Sequence, residues 1–115
     1  MRSKLHEYAD AKAALDAGSS DAIYLFGKNE EAVSCPDNNS HFFDSILDKG
    51  STDAVFVGHD HLNNMWIRYK GVDLIYGKSI DYLAYTGIAN RNSQRGGTLI
   101  TLLPDKTYTI EQIDL

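Results

Sequence analysis

The stretch AVFVGHDHLNN (54–64) decides how this chain is read. It opens on four apolar residues, AVFV (54–57), with no polar alternation. Such a run predicts a strand, and the missing alternation predicts burial on both of its faces. The run meets Gly58, a residue that accepts positive φ and places no side chain in the way of a neighbour. His59, Asp60 and His61 follow at once. A neutral imidazole is the commonest metal ligand in proteins. Two of them at i and i+2 leave a turn whose base the sheet holds still. Asp60 is a candidate to ligate, or to hold an imidazole by its other nitrogen. Surface loops also contain His-X-His by chance, so spacing alone leaves both readings open.

Working outward, Ser40 stands as an N-cap for a helix through about Asp48. Phe42, Phe43, Ile46 and Leu47 form its apolar stripe, and Lys49-Gly50 closes it. A first helix is expected over about residues 5–17, with Leu5, Tyr8 and Leu15 on one face and Gly18 as the stop. AIYLFG (22–27) reads as a short strand, and KNEEAVSCPDNNS (28–40) as a turn-rich loop. After the histidines the chain turns to strands. MWIRY (65–69) and VDLIY (72–76) flank Lys70-Gly71, a hairpin signal. GTLITLL (97–103) and TYTIEQI (107–113) flank Pro104-Asp105-Lys106, and Pro-Asp opens turns well. Between the hairpins, residues 77–97 read as one long irregular loop, a length often tied to function. The whole is a single α+β domain over residues 1–115, strand-rich after residue 53.

Composition narrows the class. The chain has 115 residues, 43% of them apolar and 23% charged, with a net charge of -5. That is ordinary soluble-domain chemistry. With no cluster of lysine or arginine, the acidic balance argues against nucleic acid and anionic membrane as partners. The one cysteine, Cys35, cannot form an internal disulfide. MRSKLHEYADAKAAL (1–15) lacks the apolar core of a signal peptide, and no run is long enough to span a bilayer, so a soluble protein is expected. Its compartment is left open.

VFVGHDHLNN (55–64) closely resembles the last signature, Gly-His-X-His, of the calcineurin-like metallophosphoesterases. GVDLIYGKSIDYLAYTG (71–87) and RGGTLITL (95–102) resemble the purple acid phosphatase-like branch, where an aromatic Tyr-Gly hairpin and an Arg-Gly strand follow the histidines. LHEYADA (5–11) is similar to the segment after another signature histidine, in a His-Ile-Pro-Leu-Pro-Glu-Tyr pattern. The resemblance implies a layered α/β/β/α sandwich carrying a two-metal centre of manganese, iron or zinc. It implies hydrolysis of a phosphoester, in a small molecule or a phosphoprotein, by a metal-held hydroxide. By the same resemblance His59 ligates one metal and His61 the other, and Asn64 stands where relatives often carry aspartate. Asp60 and Asn64 are then candidates to orient those ligands.

The rest of the family pattern is missing. Asp-X-His, Gly-Asp-X-X-Asp and Gly-Asn-His-Asp or -Glu occur nowhere in the chain. Arg2 stands where the resemblance calls for the histidine of His-Ile-Pro, and His6 falls on a proline position. The chain therefore reads as the C-terminal part of a metallophosphoesterase domain, inactive by itself. The other reading is a non-catalytic binding or assembly module with at most a weak metal site. Either way, uncovered sheet edges predict a homo-oligomer, or a missing N-terminal half as partner.

Other residues divide between site and scaffold. Tyr82 and Tyr85 are candidates to line a substrate pocket, though anchoring the loop is the simpler role. Lys78 and Arg95 are candidates to meet a phosphate, with structural pairing the simpler role. Arg91 and His41 read as surface residues, Trp66 as packing, and Cys35 as unactivated.

Overall fold

The fold is that of a computed structural model, which describes residues 6–91 and 94–115. The readings that rest on Arg2 and Leu5, and on the side chain of His6, lie outside the described residues. Helix α1 (His6–Asp16) ends as expected at Gly18. Gly18 sits at φ 72, its N–H donates to the Leu15 carbonyl, and the Ser19 N–H reaches back to Ala14. That double closure through a left-handed residue is a usual glycine-mediated helix stop. Strand β1 (Ala22–Phe26) follows, then helix α2 (Phe42–Lys49) and strand β2 (Ala54–Val57). Strands β3 (Trp66–Tyr69) and β4 (Val72–Tyr76) form the first expected hairpin. Its Lys70 and Gly71 both have positive φ, 48 and 83, as a two-residue type I′ turn requires. Strands β5 (Gly96–Leu102) and β6 (Tyr108–Asp114) form the second.

Four strands make one mixed sheet in the order β1-β3-β4-β2, antiparallel except for the parallel β2–β4 pair. β5 and β6 make a separate two-stranded sheet. Successive side chains of β4 face opposite ways. Val72, Leu74 and Tyr76, with Ile67 opposite Leu74, meet Tyr8 and Ala11 of α1 and Phe43 and Ile46 of α2. This is the core, and a fully buried Leu74 contributes about 2 kcal/mol to it. Asp73 faces the other way. It accepts two hydrogen bonds from Arg68 and one from the Tyr108 hydroxyl on β6. Gln112 of β6 also donates to the Tyr76 carbonyl at 3.1 Å. Helices therefore cover one face of the sheet, and the second hairpin is tied to the other.

Two local expectations need correcting. The N-cap of α2 is His41, not Ser40. His41 takes a left-handed turn (φ 57), held by its N–H to Asn39 Oδ1 at 2.8 Å, so the helix starts one residue later. Phe42 consequently faces solvent while Phe43 and Ile46 are buried. Strand β2 is not buried on both faces. It is an edge of the sheet, with Val55 and Val57 against the core and Phe56 40% exposed. Among the described residues, no helix is long and apolar enough to cross a membrane.

The Arg68–Asp73–Tyr108 group carries a pH prediction. Burial acts to raise the Asp73 pKa, but the hydrogen bonds from Arg68 and Tyr108 outweigh it and hold the carboxyl below its ordinary range. A carboxyl with a depressed folded pKa contributes stability above its unfolded pKa, about 4, and loses it as pH falls through the folded value. The urea midpoint is therefore expected to hold at neutral pH and to fall below about pH 4. Asp73→Asn should flatten part of that fall; an unchanged acid limb in this variant contradicts the assignment.

Candidate metal centre

β2 runs through Val57 and Gly58 into the histidines, but the reversal is not taken where the sequence suggests. Gly58 has no positive φ, and a Cβ there would meet nothing within 4 Å. His59 takes the turn instead, at φ 87. A non-glycine residue there is strained, and such strain persists only where the surroundings impose it. The imposing group is Asp60, which is fully buried beneath the turn. Its Oδ2 accepts from the Ser34 N–H at 3.2 Å and the Asn63 amide at 2.9 Å. The Tyr76 hydroxyl adds a further hydrogen bond. Burial pushes the Asp60 pKa up, but the bonds from Tyr76, Ser34 and Asn63 outweigh it, so Asp60 is a carboxylate. Burial, together with the same contact, pushes the Tyr76 phenol far above its ordinary range.

Each imidazole is backed by an acid. His59 Nδ1 lies 3.3 Å from Asp60 Oδ1, and His61 Nδ1 lies 3.0 Å from Asp81 Oδ2. In both rings Nε2 is the nitrogen left over, and both rings are partly exposed. A carboxylate on one imidazole nitrogen fixes the tautomer and aims the other outward, as it does behind metal-bound histidines. Asp81 itself is held by the Leu83 and Ala84 N–H groups at 3.0 and 2.7 Å. Those two bonds, with His61, keep its pKa below the ordinary range. Sequence reasoning missed Asp81. It lies twenty residues from His61, and its only local signal is the turn it closes on Leu83 and Ala84.

The remaining candidates separate. Tyr85 sits edge-on to His61, with ring centroids 5.7 Å apart, so it belongs to the histidine site. Tyr82 instead covers the Arg95 guanidinium at 3.6 Å. Asn64 Oδ1 accepts from the Lys28 N–H at 2.9 Å, and its amide donates to Gln94 at 2.7 Å. Asn63 Oδ1 accepts from Asn29, Glu30 and Glu31. The two asparagines thus tie the loop after β1 to the histidine turn. Lys78 pairs with Asp114, Arg91 with Glu30, and His41 with Asp44. A shallow cleft beside His59 is lined by Val33, Ser34 and Cys35.

The donor set is short of a metal centre. Among the described residues no group of three or more His, Cys, Asp or Glu side chains could hold a metal ion. A structural zinc site takes four protein ligands and a catalytic one about three. Two imidazoles, each with a carboxylate on Nδ1, fall short of that number, and the described residues do not by themselves fit a two-metal centre.

Comparison with known proteins finds similarity over about half of the chain. The chain is 41% identical over 59 residues to "Probable inactive purple acid phosphatase 29" of Arabidopsis thaliana, covering 51% of this chain and 15% of the relative. It is 34% identical to "Probable inactive purple acid phosphatase 14" and 36% identical to "Probable inactive purple acid phosphatase 28" of the same plant, over 61 residues each. The matched half of the chain is therefore purple acid phosphatase-like sequence, spanning about 15% of the length of those relatives. No protein-family model and no solved structure matches the chain.

Proposed function

We propose that this chain is the C-terminal part of a metallophosphoesterase-type domain, in which His59 and His61 each offer Nε2 to a divalent metal. The double pairing of imidazole Nδ1 with a carboxylate carries this reading. The helix-covered sheet with a hairpin on its far side supports it as one portion of the layered sandwich. Manganese, iron or zinc would bind, and a phosphoester in a small molecule or a phosphoprotein would be the substrate. The missing ligands would come from a longer chain or a partner. With two imidazoles alone no hydrolytic step follows, so the isolated chain is expected to bind metal weakly and to turn nothing over. Titration with zinc, followed by an aryl phosphate assay with manganese, zinc or iron, tests this. His59→Ala and His61→Ala should each weaken zinc binding; identical isotherms in both variants contradict the ligand assignment. Turnover abolished by His59→Ala would contradict the inactivity of the isolated chain.

One observation favours a second reading, an assembly module. β1 is an edge strand whose Ile23, Tyr24 and Phe26 are all about half exposed. Its AIYLF sequence has no lysine, no proline and no charge to discourage pairing. A homo-oligomer joined along this edge would bury those side chains. A clean monomer by size-exclusion chromatography at high concentration would contradict it.

A further inference from the structure

We propose that Gln94 and Arg95 form a binding site for a small oxyanion of the phosphate type, closed by Tyr82. Both side chains are buried; Arg95 is only 4% exposed. Gln94 Oε1 accepts from Asn64, and Arg95 Nη1 donates to the Ala89 carbonyl at 3.2 Å. Gln94 Nε2, Arg95 Nε and Arg95 Nη2 have no hydrogen-bond partner among the described residues. Among the described residues no carboxylate pairs with Arg95. A guanidinium is always charged, and burying it without a counter-charge is costly.

The geometry of the vacant donors fits a two-oxygen face of an oxyanion. Nε and Nη2 lie on one edge of the guanidinium, the edge that grips two oxygens of one anion. Arg68 in the same molecule uses that edge on Asp73, with Nε on one oxygen at 2.7 Å and Nη2 on the other at 3.2 Å. Arg95 presents the same edge, with Gln94 Nε2 as a further vacant donor beside it in the chain, and among the described residues no acid fills it. The backbone here is held firmly: Gly96 N–H donates to Ser79 and Leu115 N–H to Arg95. The backbone after Tyr82 is tied to Asp81, but the covering side chains face solvent. Tyr82 is 55% exposed and its neighbour Leu83 is 91% exposed, so the Tyr82 side chain is free to turn outward while the backbone stays in place. In this proposal, displacing the Tyr82 ring from the guanidinium admits the anion. This site uses neither His59 nor His61, so it stands or falls apart from the metal reading.

Arginine Nε–H resonances of the labelled full chain, titrated with inorganic phosphate at constant ionic strength, test the proposal. One resonance, identified by its absence in Arg95→Lys, is expected to shift saturably. Acetate should give a weaker response, Gln94→Ala should reduce phosphate affinity several-fold, and Tyr82→Ala should raise it several-fold. An equal or stronger response to acetate would reassign the site to carboxylates and overturn the phosphate assignment. No saturable shift in the folded wild type and in Tyr82→Ala, or an equal response to chloride, would overturn the site itself.

Discussion

Asp60→Ala is expected to lower stability by about 3 kcal/mol, more than either histidine substitution. The carboxylate is buried and accepts from Ser34, Asn63 and Tyr76. Removing it leaves a buried phenol and a buried amide without their acceptor, and each such loss costs about 1–3 kcal/mol. The void adds to that. His59 also loses the group that imposes its strained turn, so the loop relaxes and its ring turns away. Urea unfolding checks the size of the effect. Asp60→Asn, which keeps the shape, should fall between wild type and alanine. A loss below about 1 kcal/mol for Asp60→Ala would mean that Asp60 is not the anchor of the turn.

Gly27→Ala is the second large effect, again about 3 kcal/mol. Gly27 sits at φ 90, and a Cβ there would lie 2.1 Å from the Asn64 carbonyl oxygen. That oxygen is backbone, flanked by the Asn64 N–H bond to the Lys28 carbonyl, so it cannot swing aside. The loop after β1 would have to leave the histidine turn. Gly50→Ala is the control: φ is also positive, at 64, but nothing lies within 4 Å of the added carbon. It should cost only about 1 kcal/mol, the conformational term alone. Equal losses in the two variants would show that the close approach to Asn64 does not matter.

Both effects concern contacts the sequence could not display. The strands and hairpins were legible because their signals are local: apolar runs, Lys70-Gly71, Pro104-Asp105. The end of α1 was legible because Gly18 carries it. β2 was misjudged because an unbroken apolar run looks the same in a central strand and at an edge; neighbours decide. His59 and His61 were legible as a pair, yet Asp81 was not, since its contact with His61 closes across a twenty-residue loop. Asn63 and Asn64 likewise reach back more than thirty residues to the loop after β1. In the sequence Arg95 offers only its charge; only the fold shows that its pairing edge has no partner among the described residues.

In the proposed centre, carboxylates hold both imidazoles by Nδ1 and leave Nε2 for a metal. Long-range proton–nitrogen NMR of the histidine rings during a zinc titration tests it most directly. Nδ1–H tautomers are expected for His59 and His61 in the metal-free neutral rings, with zinc-dependent shifts concentrated at Nε2 of both. Nε2–H tautomers, or zinc titration that leaves both rings unmoved, would contradict it.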